Sequence, residues 1–358
     1  MPACHFVGSG HEPWITLWIN YTLVTVTPAW EAMGVEPSLQ HAAARLAELL
    51  TGRVAALSDP SGRDLVFEAT IEIRPLDRRP APADVWAVDG GQCVVADARC
   101  VQQLVTRAAR VRYAAGERVL EDEGELKAHL LGVGEDRASL VALGLALDPN
   151  TSVDVNLLRD RWEWDAVERA IEEAQPGALV LVDGDLVPDW RIPSTFMGEL
   201  LGRAAERNVL VAGVTKHSSL ARGGAPLVGH LELEAAVQFG ARAMWWATVA
   251  RTRSDFGAGG LQVVVARLDP DARFAFRVDL PASADPSEAL GALSAVSDDA
   301  AFPGYPYPLS VADQLAACPP WLRQELWLEL DELFHRAGVP LEVRERAFTD
   351  RHKLMERA

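Results

Sequence analysis

The sequence predicts an α/β protein: a mixed sheet flanked by helices, with an N-terminal extension and a helical C-terminal region. Three observations carry that expectation. The run 178–182 (ALVLV) is continuously apolar, as in strands covered on both faces. Helical periodicity over 153–174 and 195–207 alternates with the apolar runs 178–182 and 209–214, giving the strand–helix–strand order of such folds. With 49% apolar residues in 358, the chain can bury a sizeable core, and disorder as the main state is excluded.

Residues 1–40 mix Trp, Thr and Pro, and 39–50 space Ala and Leu as a helix does. Three prolines and three arginines in 74–83 break regular structure, which places a boundary near residue 80, between an extension of residues 1–80 and a body of residues 81–358. Two short β-type runs follow, 85–88 and 93–96, separated by Asp89-Gly90-Gly91, and then a third over 101–113, the pattern of a strand meander with a tight glycine turn. Residues 114–136 are polar and acidic. Leu157, Trp164, Val167, Ile171 and Ala174 make 153–174 an amphipathic helix, stopped by Pro176-Gly177. Beyond the two buried strands come β-rich runs over 261–268 and 273–280, then helical segments to the C-terminus.

Composition narrows the function classes. Against 34 Lys and Arg stand 51 acidic residues, a formal charge of −17, too acidic for binding nucleic acid by bulk charge alone. Cysteines 4, 93, 100 and 318 form no CxxC pair, so a disulfide framework or a zinc ribbon is not supported. No apolar run reaches the roughly 18 residues of a membrane helix, and the N-terminus lacks a basic region of the kind that opens a signal peptide. A soluble cytoplasmic protein is the expectation.

Asp89 and Asp183 each follow an apolar run and precede Gly. Ligands bind at the carboxyl ends of strands in open α/β sheets, so the two can converge on a metal, although Asp-Gly is also a common turn dipeptide. A third carboxylate would have to reach the same place. At about 100° per residue, Glu163 falls roughly 50° from the centre of the apolar stripe and Glu168 roughly 90°. A carboxylate that near a buried face needs a partner, which a metal or a salt bridge to Arg159 or Arg161 would supply.

The order VDGG, RWEWDAVERAIEEA, LVLVDGDL, AGVTK and GYPYPLSVAD resembles the NurA nucleases, which act with the HerA ATPase in DNA end processing. The resemblance spans about residues 84–318, and GYPYPL is its most distinctive part. It implies a ribonuclease-H-like fold for the nuclease domain of residues 81–358. It also implies manganese-dependent hydrolysis of DNA, as a 5′ to 3′ exonuclease and single-strand endonuclease, by a homodimer docked to a hexameric HerA-like ATPase. On this resemblance the metal-holding acids fall on Asp89, Glu163 and Asp183, with Glu168 as the fallback for the second, and the functional tyrosine falls on Tyr305. Eight residues later, where many members have histidine, this chain has Asp313, either a fourth carboxylate ligand or a weakened second metal position. Lys216 matches the family's lysine and could meet a phosphate. Hard oxygen ligands suit Mn²⁺ or Mg²⁺, and two ions about 4 Å apart would serve phosphodiester cleavage. An RNA- or hybrid-cleaving enzyme, or a catalytically degenerate scaffold subunit, are the alternatives.

Other signals are bland. Glu332-x-x-His335 is a single copy and reads as a surface pair; Thr215-Lys216-His217-Ser218-Ser219 lacks a nucleophile elbow; Gly8-Ser9-Gly10 and Gly223-Gly224 complete no nucleotide fingerprint.

Overall fold

The computed structural model describes residues 16–19, 22–25, 38–51, 56–60, 65–134, 136–140, 153–187, 189–252, 260–349 and 355. Cys4 and Gly8-Ser9-Gly10 lie outside the described residues. The chain divides into two compact units, Met1–Ser58 with Ala221–Leu227, and Asp59–Leu220 with Val228–Ala358. In the smaller unit β1 (Thr16–Ile19) and β2 (Thr22–Thr25) form a hairpin, followed by the predicted helix α1 (Leu39–Thr51). The short strands β3 (Leu57–Ser58), β12 (Ala221–Arg222) and β13 (Ala225–Pro226) complete it as a three-stranded antiparallel sheet.

The larger unit opens with β4 (Leu65–Phe67), β5 (Arg74–Pro75), β6 (Asp84–Asp97), β7 (Gln102–Ala114), β8 (Glu117–Asp122) and β9 (Lys127–Leu131). Then come α2 (Asp136–Leu140), α3 (Val155–Glu173), β10 (Leu179–Asp183), α4 (Ser194–Glu206), β11 (Leu210–Thr215) and α5 (Leu227–Phe239). It closes with β14 (Trp245–Thr252), β15 (Leu261–Arg267), β16 (Phe276–Pro281), α6 (Pro286–Ser294), α7 (Tyr307–Ala316), α8 (Pro320–Arg336) and α9 (Leu341–Phe348). Among the described residues, eleven strands form one mixed sheet in the order β4-β14-β15-β16-β11-β10-β6-β7-β8, with β5 on β14 and β9 on β7. Only the central pairs β6–β10 and β10–β11 are parallel among the described strands. Residues 65–67, before the proline-rich segment, and 74–75, at its start, thus pair with this sheet through β14.

The expected meander at Asp89-Gly90-Gly91 is replaced by one 14-residue strand, β6, paired residue for residue with β7 through both glycines. No turn is needed there. The glycines serve close approach instead: a Cβ on Gly90 would lie 2.7 Å from Glu163 Oε2, and one on Gly91 would lie 1.7 Å from the Ala316 carbonyl oxygen. The polar stretch 114–136 holds the strands β8 and β9, whose residues are mostly exposed or half-buried.

Strand pleating divides the core into two layers. On β6 and β10, Trp86, Val88, Val180 and Val182 pack toward α3 and α4, with Leu157, Val167, Ile171 and Leu200. Val85, Ala87, Leu179 and Leu181 pack on the opposite face toward α6 and α7, with Leu290, Leu293, Leu309 and Ala312. Helix α3 starts where the Asp154 side chain accepts the Leu157 N–H at 3.0 Å, and its stripe of Leu157, Leu158, Trp164, Val167 and Ile171 is buried as the periodicity predicts. On β16 the alternation sends Val278 and Leu280 to the α7 face, and Arg277 with Asp279 to the α3–α4 face, where the two form a fully buried ion pair at 2.8 Å.

Candidate metal centre

Two acids are aligned by backbone hydrogen bonding alone. The parallel register of β6 and β10 pairs Val88 with Val182, so the next residues, Asp89 and Asp183, stand side by side on adjacent strands. Both continue the alternation of Val85, Ala87, Leu179 and Leu181 and therefore face α7. The third acid comes from that helix. Carboxylate oxygens of Asp89, Asp183 and Asp313 lie within 4.8 Å of one another, the one such acidic or metal-ligating group among the described residues.

The segment Gly304-Tyr305-Pro306 leads into α7, and Gly304 takes φ +91°, a conformation open to glycine. Tyr305 is buried against Phe276 and Phe302, and its hydroxyl donates to Asp183 Oδ1 at 3.2 Å. Burial, and then the Asp183 charge, raise its phenol above the ordinary value, so it remains a donor. At its other end α7 is fixed by Arg107, whose guanidinium donates to the carbonyls of Ala316, at 3.1 Å, and Ala317, satisfying acceptors that a helix terminus leaves open. Arg107 lies opposite Gly91 in the β6–β7 ladder, so the same spot sets both the height of α7 and the position of Asp313 one turn earlier. Gly91→Ala is expected to destabilise the fold by about 2 kcal/mol through overpacking and to weaken Mn²⁺ binding, read by urea denaturation and calorimetry; unchanged values in both would remove Gly91 from this role.

Lys216, just past β11, donates to Asp183 Oδ2 at 2.6 Å and to Asp313 Oδ1 at 2.7 Å, with its ammonium 5.3 Å from the Tyr305 ring centre. Burial depresses its pKa, but the bonds to the two carboxylates outweigh that and leave it raised. Asp89 is paired with no cation among the described residues; its Oδ1 accepts the Gly90 N–H at 2.7 Å. Burial, then the neighbouring Asp183 charge, push the Asp89 carboxyl up to about 7, against the pull of Lys216.

Glu163 approaches from the other side of the sheet. Its carboxylate occupies the space above Gly90 on the α3 face and lies 3.6 Å from Arg159 Nε, outside the group of three. Burial pushes it well above the usual carboxylate range, Arg159 opposes this, and Asp89 adds to it. Of the two partners the sequence left open, the salt bridge is present. Glu168 pairs with Arg203 of α4, away from the three aspartates. Sequence patterns could not place Lys216 between two of the acids, because that contact joins residues 97 positions apart. Glu332 pairs with Arg336 on the exposed face of α8.

The acids fit a divalent cation. Three hard oxygen donors converge, and burial, with the neighbouring Asp183 charge, pushes the Asp89 carboxyl up to about 7, a cost that a bound divalent ion would relieve.

No protein-family model and no curated protein sequence matches the chain. Solved structures do. The NurA nuclease from Sulfolobus solfataricus superposes with a TM-score of 0.52 at 15% identity, over 87% of this chain and 98% of that one. The chain has the NurA fold. A second NurA crystal structure matches at a TM-score of 0.41 with 8% identity, over 67% of this chain and 86% of that one. The catalytic domain of human endonuclease V matches at 0.38 with 16% identity, over 85% and 100%. The NurA fold accounts for the large mixed sheet with helices on both faces that the sequence predicted. No described helix is long and apolar enough to cross a membrane.

Proposed function

We propose that this chain is a divalent-metal-dependent nuclease acting on DNA. The convergence of Asp89, Asp183 and Asp313 carries the proposal, and the NurA fold supports it. Asp89, Asp183 and Asp313 would hold the ion, with Mn²⁺ or Mg²⁺ suited to their oxygens. A bound divalent ion would neutralise charge on the scissile phosphate and make an attacking water more acidic.

The surrounding residues prepare the site. Tyr305 holds one Asp183 oxygen by its hydroxyl, and Lys216 holds the other, so this carboxylate cannot rotate freely. Lys216 also ties Asp313 to the end of β11, and its ammonium can still offer a proton to a phosphate oxygen. Glu163 and Arg159 close the site from the α3 face. Local cations would reverse the field that the −17 net charge imposes on an anionic substrate.

The resemblance extends the reading to 5′ to 3′ exonuclease and single-strand endonuclease activity in double-strand break repair, by a cytoplasmic homodimer working with a HerA-like hexameric ATPase. Residues 81–358 are the proposed nuclease domain, and residues 1–80 an extension that lends β4 and β5 to the sheet edge. The test uses end-labelled single- and double-stranded DNA, RNA and DNA–RNA hybrid with Mn²⁺, Mg²⁺ or chelator. Metal-dependent DNA cleavage is expected. Cleavage of RNA or hybrid alone would turn the reading to a ribonuclease, and no Mn²⁺ binding by calorimetry would turn it to a scaffold.

The titration of Asp89 gives a pH dependence. Its carboxyl is raised in the folded chain, so the metal-free fold holds a proton that the unfolded chain has released. The stability it contributes is full below about pH 4, the unfolded value, and is lost as pH rises through about 7. Mn²⁺ binding should release about one proton at pH 6 and almost none at pH 8.5, measured by calorimetry in buffers of different ionisation heat. Equal release at both pH values would exclude Asp89 as a ligand.

A further inference from the structure

On the α7 face three carboxylates meet one ammonium. Asp183 and Asp313 each give an oxygen to Lys216 Nζ, at 2.6 and 2.7 Å, while Asp89 is paired with no cation among the described residues. With all three carboxylates ionised, the formal charge left by Asp89, Asp183, Asp313 and Lys216 is −2. One divalent ion cancels it. Two would leave the cluster as positive as it began negative, before any substrate arrives.

Resting on the metal-dependent reading above, we propose that the Lys216 ammonium takes the place of a second metal ion, so that the centre binds a single divalent cation. The two ions expected from the sequence become one ion and one fixed side-chain cation. Asp313 acquires a role in this arrangement. A histidine there would offer Lys216 a neutral or positive ring, whereas the aspartate gives the ammonium a second anchor and keeps it over the site. An ammonium has three N–H donors. Two are spent on Asp183 and Asp313, and the third remains for a non-bridging phosphate oxygen. Lys216 is thus a positioning residue for the acids and a contact for the substrate.

The ion count tests this without any turnover. Mn²⁺ is titrated into the full chain at pH 8 and followed by calorimetry and by the electron paramagnetic resonance of free Mn²⁺. Wild type should bind one ion. Lys216→Met removes the internal cation, so a second ion should appear and the first should bind at least about tenfold tighter, in keeping with one unit charge removed at bonding distance. Lys216→Arg keeps the charge and should stay at one. Lys216→Gln serves where the Met variant does not fold, with the same two-ion expectation. Two ions in wild type, or one ion in a folded Met or Gln variant, would overturn the inference while leaving the nuclease reading standing. No ion in wild type would sink that reading and the inference with it.

Discussion

Asp183→Asn is expected to lower the proposed Mn²⁺-dependent DNA cleavage by about 1,000-fold, roughly 4 kcal/mol of transition-state stabilisation at about 1.4 kcal/mol per decade, and to leave the fold intact. Asp183 is the hub of the centre. Its Oδ1 accepts from Tyr305, its Oδ2 accepts from Lys216, and its strand neighbour is Asp89. Asparagine still accepts the Tyr305 proton, so the aromatic packing of Tyr305 with Phe276 and Phe302 is kept. The negative charge is what disappears, and with it the second cause, after burial, of the raised Asp89 carboxyl. Calorimetry should accordingly show weak Mn²⁺ binding beside an unchanged or higher melting temperature. Cleavage within a few-fold of wild type in a folded variant would remove Asp183 from the reaction.

Arg277→Met should destabilise the chain by about 4 kcal/mol, because it leaves a buried carboxylate without its partner. Arg277 and Asp279 are both fully buried, and the pair has a further task. Asp279 Oδ2 accepts the Leu186 N–H at 3.1 Å, pinning the chain just after it leaves β10 at Asp183. Gly213 permits that passage: a Cβ there would lie 2.7 Å from the Gly184 carbonyl oxygen. Urea denaturation measures the loss, and cleavage should fall with it as the end of β10 loosens. In the double variant Arg277→Met with Asp279→Asn the buried charge is gone but the Leu186 acceptor stays, so a large part of the stability should return. A double variant as weak as the single one would place the effect in packing volume instead of charge.

Much of the centre was legible where chemistry is local. The apolar runs before Asp89 and Asp183 marked the two parallel strands, and helical spacing placed Glu163 near a buried face, where it lies 7% exposed. Local composition misled at Asp89-Gly90-Gly91. Glycine there relieves contact with α3 on one face and α7 on the other, and no window of β6 alone carries that information. Strands β8 and β9 hid because outer strands with one wet face need no apolar run. No strand was expected from the sequence over Trp245–Thr252, yet it is an inner strand between β15 and the short strands β4 and β5. Asp313 and Tyr305 came from resemblance, since neither periodicity nor spacing points from α7 to the ends of β6 and β10. Lys216 was expected to meet phosphate, and the bridge it makes between two acids depends on tertiary contact alone.

Asp89 and Asp183 ride on strands woven into the middle of a wide sheet, whereas Asp313 travels with a helix moored at its far end by one arginine on two carbonyls. Warming is therefore expected to slacken the mooring before it unravels the weave: Mn²⁺ binding by calorimetry should weaken at temperatures where the sheet signal in circular dichroism is still whole, and return on cooling.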